Sequence, residues 1–166
     1  MTEMVAHVDD FDQVIEIVPR EVAQKNGYNV RIAAVLVFNS KGQIVLQKIS
    51  RNKKGAGKWN YSAAGHVNAN EDYPTAALRE LKEELGIDGK IEAYIGSTRT
   101  IDPITKQKKS FHRAFKVNHD GPYVFDKNEA DDIKAFSKEE LILMIHQNPN
   151  DFKQNLLDIL AQIGIK

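Results

Sequence analysis

The sequence contains no cysteine. That absence excludes disulfides, thiolate metal sites and a cysteine nucleophile together, and it fits a reducing compartment. Net charge is also missing, with 23 Lys+Arg set against 23 Asp+Glu. No global positive field would draw the protein onto a nucleic acid polymer or anionic lipid, so any polyanion must be held locally. Nor is there a long apolar run. Nothing approaches the roughly 18 residues of a membrane span, and the N-terminus MTEMVAHVDDFDQ lacks the basic stretch and apolar core of a leader. These absences give the expectation of a cytoplasmic protein without membrane or nucleic acid partners. What remains is ordinary for a globular chain: 166 residues, 42% hydrophobic and 28% charged, enough for one domain over 1–166 with a real core.

Periodicity places elements along this domain. QVIEIV (13–18) is a short β-type run closed by Pro19, and REVAQKNG (20–27) reads as a brief helix stopped by Gly27. VRIAAVLVFNSKGQIVLQKI (30–49) holds two β-rich runs joined by NSKG and predicts a β-hairpin. SRNKKGAGKW (50–59) is a Gly- and Lys-rich loop, and YSAAGHV (61–67) a short strand. From Pro74 to Leu85, Ala77, Leu78, Leu81 and Leu85 follow helical spacing, with Gly86 as the stop. KIEAYIGSTRTI (90–101) and SFHRAFKV (110–117) read as strands around a polar loop, and DGP (120–122) as a turn. DKNEADD (126–132) reads as a loop. Ser137 and Glu140 form a capping box for the next helix, Pro149 ends it, and a final amphipathic helix carries Phe152, Leu156, Ile159, Leu160 and Ile163. These elements define an α/β domain.

The chemistry is concentrated in RELKEELG, where Glu80, Glu83 and Glu84 are spaced three and four apart on the helix from Pro74. Carboxylates so placed repel by a few tenths of a kcal/mol per pair, roughly, when exposed. A solvated acidic face relieved by Arg79 and Lys82 accounts for an isolated run of this kind. The alternative is a hard divalent cation, since Mg²⁺ takes oxygen ligands from a few carboxylates, waters and substrate phosphates. Upstream context favours the cation, because Glu71 and Gly65 precede the run at fixed distances in GHVNANEDYPTAALRELKEELGI (65–87).

This stretch resembles the box that defines the Nudix hydrolases: glycine, five residues, glutamate, seven residues, Arg-Glu, an aliphatic, any residue, Glu-Glu, any residue, glycine, an aliphatic. Gly65, Glu71, Arg79, Glu80, Leu81, Glu83, Glu84, Gly86 and Ile87 occupy every fixed position. At roughly 7% per identity, seven matched identities arise by chance on the order of once in 10⁸ starting positions. The resemblance implies an α/β/α sandwich with a mixed β-sheet, the box forming a loop-helix-loop, and a reaction at a diphosphate linkage. It implies that Glu80, Glu83 and Glu84 ligate Mg²⁺ or Mn²⁺ with the Gly65 carbonyl, and that Arg79 and Glu71 form an internal ion pair that positions the loop. It also implies, outside the box, a further metal-binding or base glutamate, for which Glu129 is the candidate beside its reading as a surface acid.

Lys48, Arg51, Lys53, Lys54 and Lys58 make a positive cluster before the box. They are either solvated loop lysines or a clamp for a phosphorylated substrate, with Lys48, Arg51 and Lys58 the candidate substrate contacts. Trp59 and Tyr61 either stack a base or pack the core; His66 and His112 are read as structural. The substrate expected is a small-molecule diphosphate, a nucleoside diphosphate joined to another group or a non-nucleoside one. The region ahead of the box also looks like the branch containing isopentenyl-diphosphate isomerase and its hydrolase-like relatives. Isomerases of that branch rely on a cysteine and usually have an altered box, so a hydrolase-like relative fits better. A nucleotide-binding domain without turnover is the third reading, against which stands the complete set of box glutamates. Dimers are frequent in the family, so a homodimer is a further expectation, with the apolar C-terminal helix serving either an interface or the core.

Overall fold

The computed structural model describes residues 1–166 and is built round one mixed seven-stranded sheet. Its central strand, β3 (Arg31–Phe38), carries the uninterrupted run AAVLV because both faces are covered. Ala33, Val35 and Val37 point into one core, while Ala34 and Leu36 point into the other, as the two-residue repeat of a strand requires. The first core is closed by α2 (Tyr73–Leu85), and the second by α3 (Lys138–Gln147) and α4 (Gln154–Gln162). The result is an α/β/α sandwich. Leu156, Ile159 and Leu160 of the last helix are fully buried in the second core, so that helix spends its apolar face inside the molecule.

The predicted hairpin of 30–49 needs correction. β3 and β4 (Ile44–Ile49) pair only at Val37↔Val45 and Phe38↔Ile44, next to the turn. Beyond those two pairs the strands part. β6 (Ala63–His66) takes the antiparallel place beside β3, and β8 (Lys108–Asn118) runs parallel to β3 along its other edge, with β7 (Ile91–Ile101) outside it. β4 turns instead to β5 (Trp59–Asn60) and β9 (Ala130–Phe136). Ser62 spans the parting point: its buried hydroxyl accepts from the Val37 N–H at 2.7 Å and donates to the Val45 carbonyl. One side chain thus satisfies a backbone group on each strand where the two part.

Strand β9 overturns the loop reading of 130–132. ADDIKAF shows few apolar residues, yet it pairs with β4 from Ile44↔Phe136 to Ile49↔Ala130. A second addition is β1 (Met4–Val8), which pairs with β2 (Val14–Pro19) in a separate two-stranded sheet ahead of α1 (Arg20–Asn26). No helix is long and apolar enough to cross a membrane.

Candidate active site

Helix α2 is stopped at both ends by its own sequence. The Asp72 side chain accepts from the Thr75 N–H at 2.8 Å, and Gly86 adopts a left-handed conformation (φ 66°) that lets its N–H close on the Lys82 carbonyl. Its apolar residues Ala77, Leu81 and Leu85 are fully buried against the sheet. Glu80 is buried too, at 8% exposure, because it leans on β6. A Cβ at Gly65 would collide with the Glu80 carboxyl, so glycine leaves the space in which that carboxyl sits.

Arg79 ties this junction together. Its Nε and Nη2 grip Glu71 in a fork of 2.7 and 2.9 Å, Nη2 also donates to the His66 carbonyl at 2.9 Å, and Nη1 reaches Glu80 at 2.6 Å and Glu83 at 3.3 Å. Glu71 in turn accepts from the Asn68 N–H at 3.0 Å, and the guanidinium holds its carboxyl below the usual range. The box loop is therefore fastened to the helix by a charged, geometrically specific pair. Lys82, the other candidate for relieving the acidic face, pairs with Asp88 instead.

Glu84 has a different neighbour. Gln47, on β4 where that strand has left β3, donates to it at 2.6 Å. Burial pushes the Glu84 carboxyl up to about 8, with Gln47 opposing and Glu80 adding repulsion. Burial also raises the Glu80 carboxyl, but Arg79 pulls it back.

Glu80, Glu83 and Glu84 line one cavity of about 680 Å³ together with Gly65 and Glu129. Only three of its 19 lining residues are hydrophobic, so it is built for a polar ligand. As they stand, no three acidic or histidine side chains converge tightly enough to cage an ion, since Arg79 and Gln47 hold the glutamates. The donors are nonetheless all oxygens, the set that suits a hard divalent cation rather than zinc or copper. Glu129, at the turn before β9, is paired with Lys53 and lies near enough to Glu84 to add to its repulsion.

The structure places the three lysine and arginine candidates elsewhere. Lys48 lies over the Trp59 ring at 5.6 Å, Arg51 is exposed beside Asp131, and neither these nor Lys58 lines the cavity. Alternation along β4 explains Lys48: its neighbour Gln47 faces the glutamates, so Lys48 faces away. Lys53 and Lys153 reach the cavity in their stead. Trp59 packs edge-on against Phe136 in the second core, and Tyr61 is buried with its hydroxyl donating to the Asn155 carbonyl at 2.9 Å. His66 and His112 both line the cavity, and burial holds both rings down to about 4, hence neutral at pH 7. The sequence carried no signal for Gln47 or Lys153.

A loop-helix-loop of this kind on an α/β/α sandwich defines a Nudix domain, and the NUDIX domain model matches residues 27–157. The chain belongs to the Nudix family. Over 154 residues it is 29% identical to isopentenyl-diphosphate Delta-isomerase 2 of Aromatoleum aromaticum, spanning 92% of this chain and 82% of that protein. An uncharacterized Nudix hydrolase of Pseudomonas aeruginosa is 38% identical over 86 residues, about half of each chain (51% and 51%). Among solved structures, a protein of Deinococcus radiodurans superposes with a TM-score of 0.79 at 22% identity over 96% of this chain and 98% of its own. The MutT protein of Methanosarcina mazei gives 0.67 at 21% over 81% and 91%. At these identities the two structures speak for the fold alone.

Proposed function

We propose that the protein is a Mg²⁺-dependent hydrolase of a diphosphate linkage, able to use Mn²⁺, acting on a small molecule with a polar group attached to the diphosphate. The observation that carries this reading is that Gly65, Arg79, Glu80, Glu83 and Glu84, separated by up to 19 residues, meet at one wall of one polar cavity, with Glu71 holding Arg79 from behind it.

Glu80, Glu83, Glu84 and the Gly65 carbonyl would hold the ion, with Glu129 adjoining. When bound, such an ion neutralises the charge of a diphosphate and lowers the pKa of a coordinated water. The protein's own part is to keep donors in place and accept a proton. In the structure Nη1 of Arg79 bonds to Glu80 and Glu83, the carboxylates that would hold the ion, while Nε and Nη2 hold Glu71 and the His66 carbonyl. Arg79 and Glu71 would thus act as positioning residues that keep the loop fastened independently of the Nη1 contacts.

The second reading, transfer of protons on an isopentenyl chain, draws support from the names of relatives such as the Aromatoleum protein. Two observations count against it here. The chain has no cysteine for that chemistry, and the cavity would set an apolar chain among unpaired polar groups.

The test is formation of phosphorylated products, resolved by chromatography, from a panel of nucleoside triphosphates, nucleotide sugars, dinucleotide cofactors and prenyl diphosphates in Mg²⁺, comparing the natural protein with Glu83→Gln. Glu83 is exposed and interior packing does not depend on it, so the variant should keep its unfolding midpoint while losing roughly 10²–10³-fold in kcat, the scale of removing one charge-stabilising group. Equal rates in the two proteins would remove Glu83 from the site.

A further inference from the structure

Four cationic side chains line the cavity: Arg20, Lys53, Arg79 and Lys153. Three have acidic partners. Arg20 pairs with Glu3 at 2.7 Å, Lys53 with Glu129, and Arg79 with Glu71, Glu80 and Glu83. Lys153 has none: no carboxylate lies within ion-pair distance of its ammonium, and no side-chain hydrogen bond reaches it. It is nonetheless half-buried.

The fold fixes Lys153 where it is. Phe152, almost fully buried, bridges to Trp59, and the Lys153 main-chain N–H donates to the Trp59 carbonyl at 2.9 Å, so the backbone is stitched to β5. The side chain lies along Gly55 in the Gly- and Lys-rich loop, where a Cβ would stand 3.5 Å from its Nζ. Lys54 and Lys58 add positive charge around it, and burial with this repulsion lowers its pKa. A partly desolvated ammonium among like charges is costly unless an anion completes it. It opens into the same cavity as three glutamates, the wall where a diphosphate would be brought by an ion.

We propose that Lys153 receives a phosphate group of the substrate, holding it from the C-terminal side of the cavity while the glutamate wall engages the linkage. The identity of the anion as a diphosphate rests on the hydrolase reading above; the presence of an anion site at Lys153 rests on the unpaired cation alone. Lys153 is then the substrate contact that the loop cations Lys48, Arg51 and Lys58, all outside the cavity, do not supply.

The test uses methylene diphosphonate, which cannot be hydrolysed at its bridge, titrated by calorimetry into the full chain, once in EDTA and once in Mg²⁺. Lys153→Gln should weaken binding about tenfold in both conditions, the scale of one charged hydrogen bond, while Lys153→Arg stays within about threefold of the natural protein. Neither the unfolding midpoint nor the affinity for Mn²⁺ alone should fall in Lys153→Gln, because Lys153 has no protein partner to lose and its removal relieves repulsion from Lys54 and Lys58. On any substrate found in the panel, Lys153→Gln should raise KM about tenfold with kcat nearly kept, the signature of lost ground-state binding. Equal diphosphonate affinity in the natural protein and Lys153→Gln, or no binding by the natural protein in either condition, would overturn the proposal. Failure of the hydrolase reading would show separately, as absence of turnover with diphosphonate binding intact.

Discussion

Glu80 and Glu84 stand one helical turn apart, yet their surroundings give them different proton affinities. Arg79 partly offsets the burial of Glu80, whereas Glu84 has only neutral donors, the Gln47 amide and the Ala64 N–H, and its carboxyl rises to about 8 from an ordinary 4.5. The folded protein therefore holds a proton on Glu84 between those two values that the unfolded chain has released. Stability of the metal-free protein must fall as pH rises across that window and level off above it. The full effect is on the order of 5 kcal/mol. Metal-free Glu84→Gln, lacking this titration, should overtake the natural protein in unfolding midpoint by pH 9, as measured by thermal melts across pH 5–9. Mg²⁺ uptake at pH 7 should release about one proton, read from the dependence of the calorimetric heat on buffer ionisation. The box residues themselves were legible in the sequence because each has a fixed spacing. Lys153 was not, since nothing local distinguishes it from other lysines; only the docking of Phe152 on Trp59 brings it to the cavity.

At the scale of elements, the site depends on two strands failing to stay together. The turn NSKG and its flanking apolar runs read as a hairpin, and they do pair for two residues. The separation beyond frees β4 to aim Gln47 at Glu84 and frees β3 to accept β6, whose Gly65 seats Glu80. Ser62 holds the fork by bonding to both strands. Ser62→Ala should leave the Val37 N–H and Val45 carbonyl unpaired inside the core and cost about 2–3 kcal/mol, measurable by chemical denaturation. Helix α2 was readable to within a residue because its proline start, its apolar repeat and its glycine stop all lie within its own sequence. β9 was not readable, since Asp131, Asp132 and Lys134 face solvent and its strand character comes from β4 beside it.

At the scale of the whole molecule, a chain with no net charge concentrates opposite charges around one cavity. Segments from the N-terminus, the loop of 50–58, β6, α2, the turn before β9 and the start of α4 all contribute lining. Such a cavity selects by hydrogen bonding. A diphosphate bearing a sugar or nucleoside should be turned over at least about 10²-fold better in kcat/KM than a prenyl diphosphate, because an apolar chain leaves the buried polar groups unpaired. Competition assays with the two substrate classes in one mixture check this directly, and a preference for the prenyl compound would argue for the isomerase-like reading.

The sequence by itself determined the α/β class, the position of the box helix and which residues fill the box, because capping, periodicity and spacing are local properties. Tertiary structure alone decided which strands pair, that Gln47 reaches Glu84 and that Lys53 and Lys153, rather than Lys48, Arg51 and Lys58, enter the cavity. Those outcomes depend on which of several chemically similar segments pack together, and that is settled by burial and pairing across the chain rather than along it.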